Sequence, residues 1–92
     1  MQFFALARRR TESFTEAQFA EFLDEEAARV RTLYAEGLIR AAYSRSDVLG
    51  AVILLEVDDA PAAQALVDSL PLAARGMLEV RLIPVKPYRG FS

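Results

Sequence analysis

Glu26 is the residue most out of place in this chain. Phe19, Phe22, Leu23, Val30, Leu33 and Tyr34 fall on one stripe at helical spacing, and stepping about 100° per residue puts Glu26 near its middle. The other acids of the segment, including Glu21, Asp24 and Glu25, fall off the stripe, and Glu25 can pair with Arg29 one turn on. A carboxylate held among apolar side chains has its pKa raised, by up to about 3–5 units when burial is complete, which suits it to act as a general base. The chemistry within reach is movement of a double bond next to a carbonyl. A base removes a proton, donors hold the developing enolate oxygen, and the same base returns the proton elsewhere. Arg40 can supply fixed positive charge, and Tyr43 a neutral donor where it points into the same cavity. A purely structural arrangement uses the same residues, with Glu26 buried as a satisfied partner of Arg40 or Tyr34. Glu56 reads as an interface or intrasheet ion pair rather than a catalyst, and Lys86 and Arg89 as surface or subunit contacts.

Composition narrows the classes. The 92 residues make one domain, 1–92, with a single modest core. A net charge of −2 carries no polyanion-binding signature. Arg8, Arg9 and Arg10 could form an anion site, but they read as a solvated loop, because nucleic-acid readers add a wider basic footprint with interleaved aromatics. The chain has no cysteine and no histidine, so thiolate metal sites, disulfides and the usual neutral-pH proton shuttle are excluded, and neither a metal nor a cofactor is expected. Phe-Phe-Ala-Leu-Ala precedes the arginines, the reverse of a signal peptide, and no stretch approaches the roughly 20 apolar residues of a membrane span. A soluble, cytoplasmic protein without membrane or nucleic-acid partners is expected.

The elements that would position Glu26 are well marked. Gly50–Val57 is a strand candidate with apolar residues on both faces: Ala51, Ile53, Leu55 and Val57 on one, Val52 and Leu54 on the other with Glu56 beyond them. Gln2–Ala7 is similar, with Phe4 and Leu6 opposite Phe3, Ala5 and Ala7. Strands of this kind need cover on both sides. Phe14–Gly37 reads as one helix, with Thr15 and Gln18 as a capping box, Phe14 and Phe19 as a hydrophobic staple, and Gly37 as its stop. Leu38–Arg45 follows as a strand whose alternation groups Ile39, Ala41 and Tyr43 on one face and Leu38, Arg40, Ala42 and Ser44 on the other. Asp59 caps a second helix, with Pro61 in its first turn, Ala63, Leu66, Val67 and Leu70 on its apolar face, and Pro71 as its stop. A loop through Gly76 leads to Met77–Val85, an edge strand on account of Pro84. The order strand, helix, strand, strand, helix, strand is the α+β, ferredoxin-like βαββαβ pattern with a four-stranded antiparallel sheet. Its usual strand order puts the two doubly apolar strands at the centre.

Ser69-Leu70-Pro71-Leu72, followed by Glu79-Val80 and Lys86-Pro87, resembles the muconolactone Δ-isomerase family. The likeness begins near Glu25-Glu26, continues through Glu36-Gly37, Arg40 and Glu56-Val57, and covers roughly the last two-thirds of the chain. The chain departs from the family pattern at Val52, and at Ala27, Ala41 and Lys86, where lysine, histidine and histidine are usual. The resemblance implies a dimeric α/β barrel, often within a larger ring, and a cofactor-independent proton shift on an unsaturated lactone. Glu26, Arg40 and Tyr43 are then the catalytic candidates. Three functions stay open: a small-molecule isomerase, a non-catalytic module binding a small acidic or lactone-like ligand, and a cofactor-free monooxygenase of the same barrel type. Self-association through the sheet face away from the helices is expected, as is a C-terminal tail whose Tyr88 and Phe91 pack on a neighbouring subunit or seal one end of its pocket.

Overall fold

Two central strands carry the architecture. The structure, a computed structural model, describes residues 1–91. Strands β1 (Gln2–Arg9), β2 (Ile39–Ser44), β3 (Gly50–Glu56) and β4 (Leu78–Val85) form one antiparallel sheet in the order β2-β3-β1-β4. Helices α1 (Glu16–Ala20), α2 (Leu23–Ala35), α3 (Ala60–Asp68) and α4 (Pro71–Ala74) complete the chain, and a 3₁₀ turn at Arg89–Phe91 follows β4. The fold is ferredoxin-like, with the doubly apolar strands β1 and β3 side by side at the centre and the proline-bearing β4 at an edge.

Alternation along the central pair sets which face the helices cover. Phe3 lies opposite Leu55 and Ala5 opposite Ile53, and all four are buried with Leu33 of α2 and Ala63, Leu66 and Val67 of α3 in the main core. On β4, Val80 and Leu82 join the same face opposite Ala7 and Ala5. Phe4, Leu6, Val52 and Leu54 point the other way and are only half-buried. A second cluster of Phe19, Leu72 and Met77 closes one end of the helix layer, with Phe14, Phe22 and Leu23 against it.

The segment expected as one helix is two. Thr15 and Gln18 form the full capping box, and the Phe14 and Phe19 rings meet edge to face at 6.0 Å. Phe22 then leaves helical geometry at φ −112°, ψ 2°, and its N–H bonds Phe19 O one residue short of the helical ladder. The break lets Phe19 and Phe22 serve the end cluster while α2 lies on the sheet, two packing targets that one straight rod cannot meet. Tyr34, at the margin of the stripe, is 62% exposed rather than packed. Glu26, Val30 and Leu33, spaced by four and three, form the inward row of α2. Gly37, at φ 81°, ends α2 with Gly37 N bonded to Tyr34 O and Leu38 N to Leu33 O, a Schellman stop.

Two further expectations are corrected. Pro71 stops α3 as expected, but residues 71–74 form α4 rather than a loop; Leu70, in extended geometry, hands the chain to a proline at the first helical position. In β2 the register slips between Ile39 and Ala41. Ile39 pairs with Leu55, and Ala42 and Ser44 with Ile53 and Ala51, on the helix-covered face, whereas Ala41 and Tyr43 pair with Leu54 and Val52 on the far face. The bulge at Arg40 therefore splits the expected grouping of Ile39, Ala41 and Tyr43.

Gly50 opens β3 where it passes β1 closest. A Cβ there would stand 2.0 Å from the Ala7 carbonyl oxygen, which belongs to the central strand and cannot yield. Gly50→Ala is expected to cost about 3 kcal/mol by overpacking, read as a lower urea midpoint with unchanged slope.

Candidate functional site

The site is built where β1, β3, α2 and α4 converge. Glu26 sits in the first turn of α2, half-buried, on the row that continues to Val30 and Leu33. Pro71 folds the chain back so that the N–H of Leu72 donates to Glu26 Oε1 at 3.0 Å. Oε2 makes no hydrogen bond among the described residues. The carboxylate opens onto a cavity of about 130 Å³ walled by Ala7, Leu23, Ile53, Leu70 and Leu72, with Arg9 and Ser44 adding polar groups. Cavities near 150 Å³ hold a benzene ring, so this one is of single-ring size.

Electrostatics around Glu26 pull in two directions. Loss of water raises its pKa above the ordinary carboxylate value; the Leu72 N–H and the charge of Arg9 oppose this without cancelling it. Glu26 is thus a better base than an exposed glutamate and keeps one oxygen ready for a proton. The arrangement can accept a proton from a small ring seated in the cavity.

Of the three residues singled out in the sequence, two share a groove and the third lies apart. Glu26 and Tyr43 both border a shallow groove along α2 and the β2–β3 pair, with Tyr43 64% exposed and paired with Val52 on the far side of the sheet. Arg40 is exposed at the β2 bulge, where its charge acts on Glu56 rather than Glu26. The Met1 amino group donates to Glu56 Oε2 at 2.9 Å, and this bond is the main reason the Glu56 carboxyl is held below its usual range. Tyr34 is remote in function as well, since the bond that satisfies Glu26 comes from Leu72. Arg29, expected beside Glu25, donates to Ser69 Oγ at 3.2 Å, and Glu25 instead lies 3.9 Å from Arg75.

Arg9 is the group that sequence reading passed over. The three arginines do not form one loop: Arg8 bonds Glu12 and Glu79, Arg10 donates to Gly76 O, and Arg9 continues the Phe3-Ala5-Ala7 face toward the helices. The guanidinium of Arg9 lies 5.5 Å from the centre of the Phe19 ring and makes no hydrogen bond or ion pair among the described residues, although its charge reaches Glu26. The parity of β1, carried two residues past Ala7, was the available signal.

Among the described residues no group of acids could hold a metal ion, and no helix is long and apolar enough to cross a membrane. No family model and no curated protein matches the sequence. Among solved structures, the chain is similar to the 5-chloro-2-hydroxyhydroquinone dehydrochlorinase TftG from Burkholderia phenoliruptrix AC1100, in complex with 2,5-dihydroxybenzoquinone, at 14% identity over the whole of both chains and a TM-score of 0.73. What the two proteins share is the ferredoxin-like fold, from the first strand to the last.

Proposed function

We propose that this chain is a cofactor-independent, muconolactone Δ-isomerase-like enzyme that shifts a proton on a small unsaturated lactone or related ring acid, with Glu26 as the base. The observation that carries the reading is a half-buried carboxylate with one oxygen pinned by Leu72 N–H and the other unengaged, facing a ring-sized apolar cavity. Glu26 Oε2 takes the proton from the carbon beside the conjugated system, the pair of electrons moves toward the carbonyl oxygen, and protonated Glu26 returns the proton to the carbon next to the carbonyl, at the far end of the original double bond. The balance closes with no net proton and no redox partner, so one base suffices. Removal of HCl by the dehydrochlorinase of like fold also takes a proton from a small oxygenated ring, which supports this class of substrate and makes elimination a second reading. Turnover of a panel of enol-lactones and halogenated hydroxyhydroquinones, run beside binding and oxygen uptake, tests the proposal. Double-bond migration without oxygen uptake is expected. Binding without turnover would favour a ligand-binding module, and oxygen uptake a monooxygenase.

The same reading includes self-association through the sheet face that the helices leave open, with the tail as an accessory contact. Tyr88 and Phe91 are 74% and 88% exposed, their ring centres 5.6 Å apart, at the end of the described chain. Ser92 lies outside the described residues. Deleting residues 87–92 is expected to weaken the oligomer about tenfold, or ligand affinity by a similar factor, measured by sedimentation and by titration; no change in either would make the tail passive.

A further inference from the structure

We infer that Arg9 is the anion-binding residue of the Glu26 cavity, holding the negatively charged oxygen of the substrate while Glu26 faces its acidic proton. The inference rests on the reading of this cavity as the substrate site and adds what that site selects: a ring bearing an ionised oxygen.

Three features of Arg9 carry it. Arg9 is half-buried as a residue and its guanidinium makes no hydrogen bond or ion pair among the described residues, whereas Arg8, Arg10, Arg29, Arg45 and Arg75 all engage carboxylate, carbonyl or hydroxyl oxygens. A guanidinium carries five N–H donors, and those that no protein oxygen occupies are open to a ligand oxygen. Its place is fixed by the fold: the Arg9 N–H bonds Leu49 O at 2.9 Å, and the Phe19 ring, itself buried and held by Phe14, lies beneath the cation. Last, Arg9 stands between two spaces. It lines the inner cavity with Glu26 and also an outer one of about 440 Å³ that includes Thr11, Thr15 and Phe19. A ring in the inner cavity can therefore present a charged oxygen at the junction, where a planar fork matches a carboxylate or an enolate pair. Glu26 is acceptor-only when ionised and repels such an oxygen, so the two side chains orient the ring between them. Enolate charge that grows during proton removal falls beside Arg9, where its stabilisation adds to rate as well as binding.

The test uses the whole chain and two probes of like shape. 2,5-Dihydroxybenzoquinone is ionised at neutral pH because each hydroxyl is a vinylogous acid; 2,5-dimethylbenzoquinone replaces both hydroxyls with methyl groups and carries no charge. Calorimetric titration should show the anion binding more tightly to the unsubstituted protein. Arg9→Met should lower affinity for the anion about 10- to 100-fold, the equivalent of one charge-assisted hydrogen bond, and change affinity for the dimethyl compound less than about twofold. Arg9→Lys keeps the charge and should recover part of the loss, which separates an electrostatic role from mere packing on Phe19. Glu26→Gln should leave the preference for the anion in place or increase it. If Glu26→Gln retained full turnover, the base assignment would fail while the Arg9 result stood. Equal loss for both probes, no loss in Arg9→Met, or no binding of the anion at millimolar concentration would overturn the inference.

Discussion

Glu26→Gln lowers turnover by about 10²–10⁴-fold, the usual contribution of general acid–base catalysis, while the protein stays folded. The amide keeps the shape of the side chain and an oxygen for the Leu72 N–H, so the 3.0 Å bond that docks α4 on α2 survives. What disappears is the oxygen able to accept a proton. The stability response has a definite sign. Burial raises the Glu26 pKa in the folded state above the ordinary carboxylate value. Folding therefore favours the protonated form: that contribution is fully present below the unfolded pKa and is lost as pH rises through the folded one. Above that folded pKa the wild-type protein carries an ionised carboxylate at a desolvated position, and glutamine relieves it. The variant should melt at the same temperature or higher there, with the gap closing as both are acidified. In the wild type, turnover should rise with pH along an acid limb displaced above the ordinary carboxylate range. Full activity in Glu26→Gln would remove the site assignment. A large fall in its melting temperature would instead make the carboxylate a structural tie between α2 and α4.

The parts of this site that were legible in the sequence are those fixed by local pattern. Glu26 stood out because helical spacing from Val30 and Leu33 is a short-range property, and the capping box at Thr15 and the stop at Gly37 are chemistry within a few residues. The order of elements and the apolar character of both faces of β1 and β3 led to the sheet for the same reason. What escaped were features decided by tertiary contact. The bulge at Arg40 leaves no mark in composition, yet one inserted residue moves Tyr43 to the far face and Ser44 to the cavity. The break at Phe22 answers to two separate packing sites, one of them made by Leu72 and Met77 far along the chain. The donor to Glu26 is a backbone N–H, and no side-chain inventory can reveal it. Arg9 was hidden by its neighbours, because a run of three identical residues reads as one feature although a strand sends alternate members to opposite faces.

Leu54→Glu is expected to convert a self-associated protein into a monomer at micromolar concentration. The far face of the sheet has an apolar row running Ala41–Leu54–Phe4–Ile83 across all four strands, read from the pairings of β2, β3, β1 and β4. The neighbouring row adds Tyr43, Val52 and Leu6 before ending at Arg81. Toward the two ends, Glu56 and Gln2 lie beyond one row and Arg8 and Glu79 beyond the other, giving an apolar centre with polar margins. Among the described residues no helix packs there: the buried helix residues Leu33, Ala63, Leu66 and Val67 cluster with Phe3, Ala5, Ile53 and Leu55 on the opposite face. The occupant that fits is a second copy, since a twisted sheet meets its own twofold mate face to face at about 10 Å with side chains interdigitated. At usual strand spacing the central area is roughly 400 Å² per copy, so a dimer covers roughly 800 Å², worth about 20 kcal/mol at 25 cal/mol per Å² as an upper bound. Association itself costs about 4–15 kcal/mol, and an unpaired carboxylate buried at Leu54 in the middle of both faces removes what is left. Arg81→Glu, at the margin, should change little by comparison. Sedimentation should give a dimer or larger species for the wild type and a monomer for Leu54→Glu, and the wild-type melting temperature should rise with protein concentration while that of the variant stays flat. A wild-type monomer at micromolar concentration, or a Leu54→Glu variant that still associates, would show that this face is not the one the protein uses.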